Sequence, residues 1–459
     1  MSEVVDPRMD EKLESLRAGF QKGISRPVEE RIRLLKKLKT VILQHEAQIA
    51  EALFKDLRKS AQEALITETG LVIKEIDNHV SHLKKWARPK RARTPLYLLP
   101  SSSYLKHEPM GVVLIVAPWN YPFQLLMNPL IGAISAGNCA VLKPSEFCIH
   151  TNQVMDSIVR QVFEQDHVTL FHGGKQTNQA LLAHRFDLIF FTGSPRLGKI
   201  VMKAAAETLT PVVLELGGKS PCIVDQSAKV DLAAKRIAWG KMVNLGQTCI
   251  APDYLLVHED LKDNLVSGII TYWKEFFGED GQQSEFLPRM VTTAAFDRVS
   301  EYLSQGKIIY GGKTDRDDQY ISPTLMEDVS PDSPIMQDEI FGPILPIITF
   351  KNIDEAIDLI NSKEKPLAYY YFGETGKGRE LLEQNTSGGV CINDTLIHIS
   401  NHALPFGGVG NSGTGRYHGR YSFEAFSNAR SIMKSPTWID MPFRYPPFKY
   451  FNIVRKLLT

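Results

Sequence analysis

Apolar positions between residues 10 and 60 recur with helical spacing. Ile32, Leu35, Leu38, Ile42, Ile49 and Leu53 are mostly three, four or seven residues apart, which makes one apolar stripe opposite Arg, Lys, Gln and Glu. Ser25 is the expected helix cap, with Pro27 in the first turn. From about residue 111 the pattern changes to short β-rich runs at Val112–Val116, Ala140–Leu142, Val168–Phe171, Leu188–Phe191 and Val212–Leu214, with helix-length segments between them. Strands alternating with helices predict βαβ units around a parallel sheet, hence an α/β fold. A second region of the same character runs from about 219 to 390, broken by Gly/Pro-rich stretches at 287–292, 311–323 and 331–346. No fixed-period repeat and no low-complexity segment interrupts either region.

One segment raises the question of a membrane. Gly111 to Leu142 carries no charged residue, which is long enough to span a bilayer. It also holds Pro118, Asn120, Pro122, Gln124, Asn128, Pro129 and Asn138, which lipid could not satisfy. The segment therefore reads as strand, turn, helix and strand inside a buried core. The tail from Ser435 is rich in aromatics, proline and basic residues, and docking on protein is its expected role.

Composition narrows the classes further. The 459 residues carry 53 Lys+Arg against 52 Asp+Glu, a net charge of +1, where a dedicated nucleic-acid binder would show a basic excess. The basic run at 84–93 stands alone and reads as a solvated helix end running into a linker. Five cysteines are too few and too odd for a disulfide framework, so a reducing compartment, the cytoplasm, is expected. The polar, charged N-terminus does not resemble a signal peptide.

Several residues are placed where chemistry could occur. Cys249 lies in a polar, Gly-containing loop, Asn244-Leu-Gly-Gln-Thr-Cys249, where a nucleophilic thiol would have access; a buried, inert thiol is the alternative. Glu215 ends an apolar strand ahead of Gly217 and Gly218, and such a carboxylate suits a general base or an ordinary ion pair. Asn120, between Pro118 and Pro122, offers an amide to an oxyanion or is a turn residue. Lys143 and Glu146 follow a strand end, where ligands of open α/β sheets bind, or they form a surface ion pair. The Phe191 to Gly198 stretch turns from strand to helix through Gly193 and Ser194, a shape that suits a pyrophosphate but is common elsewhere. The Gly-x-Gly-x-x-Gly fingerprint is absent after these strands, and no cluster has metal-ligand spacing.

Taken in order, Pro118-Trp-Asn-Tyr-Pro122, Lys143-Pro-Ser-Glu146, Phe191-Thr-Gly-Ser194, Leu214-Glu-Leu-Gly-Gly218, Gly246-Gln-Thr-Cys249, Glu339-Ile-Phe-Gly-Pro343 and Pro405-Phe-Gly-Gly408 resemble the aldehyde dehydrogenase superfamily over nearly the whole chain. The short N-terminus, the Gln247 to Tyr254 run and Arg444-Tyr-Pro-Pro447 are most similar to the class 3 branch, the aromatic and fatty aldehyde dehydrogenases. The long hydrophobic tail of its membrane-anchored members is missing.

That resemblance implies a mechanism. The Cys249 thiolate attacks the aldehyde, and the Asn120 amide with the Cys249 backbone N–H holds the oxyanion. Hydride passes to a nicotinamide, and Glu215 activates water against the resulting thioester. It further implies that Glu339 and Phe341 sit at the nicotinamide ribose, Lys143 and Glu146 at the adenosine ribose, and Gly193, Ser194 and Gly198 at the pyrophosphate turn. A carboxylate at Glu146 favours NAD over NADP, with Lys143 able to offset it, so NAD is expected first and NADP as an alternative. Residues 1–85 and 111–217 are expected to form the dinucleotide-binding domain, 218–417 the catalytic domain, and 86–110 with 418–459 a small β element for oligomerisation, as a homodimer. A CoA-acylating enzyme and a cofactor-independent thiol esterase are the competing readings.

Overall fold

The computed structural model describes residues 5–448 and 450–458. Helices α1 (Met9–Lys22), α2 (Val28–Gln44), α3 (Glu46–Leu57) and α4 (Gly70–Trp86) occupy the N-terminal region. The apolar stripe faces inward as its spacing requires: Leu35, Leu38, Ile42, Ile49 and Leu53 are buried and Ile32 packs beside them. Ser25 is not a cap. Pro27 occupies that position of α2, and the buried Ser25 hydroxyl instead donates to the Gly137 carbonyl at 2.6 Å. The side chain is engaged by a long-range carbonyl instead of a local backbone N–H.

Strands β1 (Lys90–Ala92) and β2 (Ser102–Pro109) follow the helices. Then come β3 (Val112–Val116), β4 (Cys139–Lys143), β5 (Val168–Leu170), β6 (Leu188–Gly193) and β7 (Val212–Leu216), close to the five apolar runs of the sequence. They are parallel, with β3 between β4 and β6, so the order reverses at β3. Alternate residues face opposite cores: Val113 and Ile115 on one side, Val112 and Leu114 on the other with Met9, Leu13 and Leu16 of α1. Helix α5 (Pro122–Ala136) is buried at all its residues, which explains the uncharged segment: it is the central helix of this unit. No helix among the described residues is long and apolar enough to cross a membrane.

The second sheet has seven strands: β8 (Pro221–Val224), β9 (Tyr254–His258), β10 (Lys307–Tyr310), β11 (Thr324–Glu327), β12 (Ile344–Phe350), β13 (Ala368–Phe372) and β14 (Gly389–Ile392). All pair in parallel except β10, at one edge. Strand β15 (Gly413–Thr414) returns to the first sheet and pairs antiparallel with β7, Gly413 opposite Glu215. Strand β16 (Ser427–Lys434) pairs with β2 from Ser427–Pro109 to Lys434–Ser102, so β1, β2 and β16 form a separate sheet. Lys90 to Ala92 of the basic run thus form a strand rather than a plain linker. Beyond it, Trp438, Tyr445, Phe448 and Phe451 of the tail are exposed.

Candidate active site

Two cavities meet at Cys249. The larger, of about 900 Å³, runs along the carboxyl ends of β3, β6 and β7, outside the point where the strand order reverses; open α/β sheets bind ligands there. Asn120, Gly193, Ser194, Glu215, Glu339 and Phe341 line it. The smaller, of about 100 Å³, is walled by apolar side chains including Ile66, Leu71, Trp239, Ile250, Ile397 and Phe406. Cys249 and Leu125 border both.

Cys249 sits in the loop between helix α6 (Val230–Met242) and β9, and it is partly exposed. Asn244 and Leu245 ahead of it adopt left-handed backbone, φ 52 and 56, which non-glycine residues hold only under constraint. The constraint is the buried Gln247 side chain. Its amide donates to Asn244 O (3.1 Å) and Arg289 O (3.0 Å), and its carbonyl accepts from Val291 N (3.1 Å). Thr248 adds a 2.5 Å hydrogen bond to the Tyr121 hydroxyl. Asn244 and Gln247 stand inside the motif that marks Cys249, yet their scaffolding role depends on partners far away in sequence.

The thiol does not have the lowered pKa that a ready nucleophile would show. Burial, then the charges of Glu215 and Glu339, push it well above the usual thiol range, and its own backbone N–H pulls the other way. Glu215, 1% exposed on β7, is raised to about 8 by burial, opposed by the neighbouring Cys249 thiol. Neither carboxylate oxygen has an N–H or O–H partner among the described residues. The sequence left a base or an ion pair open for Glu215; no ion pair forms among the described residues. The other four cysteines are buried, Cys148 donating to Trp119 O at 3.3 Å and Cys391 lying 3.2 Å from His398 Nδ1.

Asn120, 3% exposed, directs one amide N–H to Gln247 O at 3.0 Å, while its own Oδ1 is unpaired. Its backbone carbonyl accepts from Lys59 Nζ and from Asn244 Nδ2, both at 2.8 Å. The Lys59–Glu68 pair behind it lies in N-terminal helical sequence that no motif flags. Burial draws the Glu68 carboxyl up, against the charge of Lys59 and two backbone amides.

Glu339 reaches the cleft because Gly217 lacks a side chain: a Cβ there would lie 2.1 Å from Glu339 Oε2. Gly218 N–H donates to Glu339 Oε1 at 3.3 Å, and burial raises this carboxyl to about 8. The loop carrying it is tied down by buried Lys219, which donates to Asp253 (2.5 Å), Ile335 O (2.6 Å) and Asp338 O (3.1 Å). Phe341 packs edge-on against Trp119, ring centroids 5.4 Å apart.

Ser194 caps the 12-residue helix Pro195–Ala206 by accepting from Leu197 N at 3.4 Å, so an extended helix N-terminus opens on the cleft beside Gly193. Gly198 is not in the cleft wall. It faces Leu216, where a Cβ would lie 2.8 Å from the leucine Cδ2, so it serves helix-to-strand packing. Lys143 and Glu146 also lie outside that wall, at the end of β4. Lys143 is buried, Nζ donating to Pro144 O at 2.6 Å, and Glu146 is exposed.

The donor set fits a dinucleotide. A helix N-terminus suits a pyrophosphate, the Glu339 carboxylate suits ribose hydroxyls, and the unpaired Thr192 hydroxyl and Asn120 Oδ1 are buried polar groups beside it.

The chain matches the aldehyde dehydrogenase family over residues 6–432. It is 45% identical to the 4,4'-diaponeurosporen-aldehyde dehydrogenase of Staphylococcus aureus, over 96% of this chain and 97% of that protein. It is 42% identical to the dimeric NADP-preferring aldehyde dehydrogenase of Canis lupus familiaris, over 96% and 98% respectively. The substrate-bound structure of Staphylococcus aureus AldH superposes with a TM-score of 0.96 at 44% identity, over 98% of this chain and 99% of that one.

Proposed function

The chain belongs to the aldehyde dehydrogenase family, in its class 3 branch, and is an enzyme that oxidises aldehydes; on that premise we propose that Cys249 is its nucleophile, Glu215 its general base and Asn120 its oxyanion donor. The observation that carries this reading is the place of Cys249, bordering both an apolar cavity and a cleft suited to a dinucleotide, with Glu215 beside it.

The aldehyde enters through the apolar cavity, the Cys249 thiol gives up its proton to solvent water in the cleft, and the resulting thiolate sulfur adds to the carbonyl carbon. The oxygen gains negative charge as the C–S bond forms. The Asn120 N–H not engaged by Gln247, with the Cys249 backbone N–H, stabilises that charge. NAD, or NADP, held by Glu339, Phe341, Gly193 and Ser194, would supply the hydride acceptor, leaving the acyl group on Cys249 as a thioester. Water then adds to the thioester while Glu215 takes its proton, and departure of the Cys249 thiolate releases the carboxylic acid. A buried carboxylate with a pKa near 8 and no ion-pair partner is suited to that exchange. It also favours water over CoA as acyl acceptor, and the dinucleotide-sized cleft argues against a simple esterase.

Glu339 and Phe341 hold the nicotinamide end, Gly193 and Ser194 the pyrophosphate, and Lys143 with Glu146 the adenosine ribose, from the rim at β4. Residues 1–85 and 111–217, which supply every strand of the first sheet except β15, are the dinucleotide-binding domain, and 218–417 the catalytic domain. The apolar walls favour medium- or long-chain aliphatic or aromatic aldehydes. The sheet of β1, β2 and β16, with an edge strand unpaired on its outer side among the described residues, supports a homodimer built through 86–110 and 418–459. Five free cysteines suit the cytoplasm.

Replacing Cys249 by Ala tests the assignment. NADH formation from an aldehyde is expected to vanish while NAD binding, followed by fluorescence, persists. Turnover retained in that variant would reject Cys249 as nucleophile.

A further inference from the structure

Lys59 and Glu68 form an ion pair in which neither side chain has any solvent exposure, with Nζ 2.6 Å from Oε1. Glu68 lies in a single π-helical turn, Leu65–Thr69, just before α4; such turns are rare and concentrate at functional sites. Among the described residues, every other side-chain hydrogen bond of the pair goes to one short stretch of backbone. Lys59 Nζ donates to Asn120 O at 2.8 Å and lies 4.0 Å from the Tyr121 ring centroid. Glu68 Oε2 accepts from Phe123 N at 3.1 Å and Gln124 N at 2.9 Å, the first turn of α5.

Burying two opposite charges is a poor route to stability, because desolvation offsets their attraction and packed apolar residues often do as well. Apolar residues cannot, however, donate to one backbone carbonyl and accept from two backbone amides a few residues further on. The ion pair does both, and the segment it grips, residues 120–124, begins with Asn120. A second donor, Asn244 Nδ2, shares the Asn120 carbonyl at 2.8 Å, and the Asn120 side chain is pinned to Gln247 O. The amide is thereby fixed between an N-terminal clamp and the Cys249 loop.

We propose that Lys59 and Glu68 are positioning residues that hold the Asn120 amide where the oxyanion forms. The proposal rests on the reading of Asn120 as oxyanion donor. Lys59 acts through the Asn120 carbonyl, and Glu68 acts through the N-terminus of α5. Electrostatic stabilisation of an oxyanion depends on donors placed to within about 0.5 Å, so a loosened loop lowers the rate of attack without altering cofactor recognition.

The test is a cycle of variants read by the rate of the NADH burst, which reports acylation, together with the KM for NAD. Lys59→Met combined with Glu68→Gln removes both charges but leaves a side-chain carbonyl for the α5 amides. The burst is expected to slow by roughly tenfold or more with the KM for NAD unchanged. In an Asn120→Ala background the same two changes are expected to slow it by less than about twofold, because the group being positioned is already gone. An equal slowing in both backgrounds, or a raised KM for NAD, would mark a merely structural role and overturn the proposal. A normal burst in the charge-free variant beside a slow Asn120→Ala enzyme would reject the pair alone. An unaffected Asn120→Ala enzyme would reject the oxyanion reading, and the proposal with it. Should the double substitution fail to fold, Glu68→Asp, which keeps the charge and shortens its reach, completes the same cycle with the same two outcomes.

Discussion

The Cys249 thiol and the Glu215 carboxylate face each other where the two cavities join, and each shifts the other's ionisation. Burial raises Glu215 to about 8, the neighbouring thiol pulls it down, and the charge of Glu215 raises the thiol. The same partners serve two half-reactions: a sulfur that attacks, then a carboxylate that draws a proton from water.

Glu215→Gln separates those halves. The burst of NADH is expected to persist, because attack and oxidation need no base for water, while steady-state turnover drops by about 10²–10⁴-fold. In the unmodified enzyme, turnover should climb as pH rises through about 8, where Glu215 loses its proton, and the variant should lack that limb. Rapid-mixing absorbance across pH 6 to 9.5 checks both; a burst lost together with the steady state would contradict the division.

The same carboxyl makes stability depend on pH. Its folded pKa lies above the ordinary carboxylate value, so between about 4.5 and 8 the folded protein keeps a proton that the unfolded chain releases. Glu215 therefore removes stability as pH rises through that window. Glu215→Gln should raise Tm more at pH 8 than at pH 5, by calorimetry. An equal shift at both would show that Glu215 is ionised throughout.

Glu146 is exposed at the end of β4, where a 2′-phosphate would meet its charge. Glu146→Gln is expected to lower the KM for NADP relative to NAD by up to about fivefold, the size of an exposed charge interaction. No change in the ratio would place the adenosine ribose elsewhere.

Leu71 lines the apolar cavity beside Cys249. Leu71→Trp should reduce kcat/KM for a long-chain or aromatic aldehyde by roughly tenfold or more while sparing acetaldehyde, since steric exclusion in an apolar pocket is of that order. Equal losses on both would argue for a different entrance.

Much of this was legible in the sequence where it depends on local order. The runs at Val112–Val116 and Leu188–Phe191 became strands because a strand buried on both faces is apolar throughout. Cys249, Glu215 and Asn120 could be singled out because glycines and prolines mark their turns. Ser25 was misread because its partner, the Gly137 carbonyl, lies 112 residues away. The family resemblance put Gly198 at the pyrophosphate turn, and its close approach to Leu216, where a Cβ would lie 2.8 Å from the leucine Cδ2, has no local sequence signal. Lys59 and Glu68 carry no local signal at all, since charged residues in amphipathic helical sequence are ordinarily solvated.

The most direct measurement is the covalent intermediate itself. The Glu215→Gln enzyme, mixed with NAD and a medium-chain aldehyde and quenched in acid, should carry one acyl group per chain. Peptide mass spectrometry should place it on the fragment containing Cys249, as a hydroxylamine-labile thioester. An acyl group on another residue, or acid produced with no acyl-enzyme at any quench time, would contradict the account.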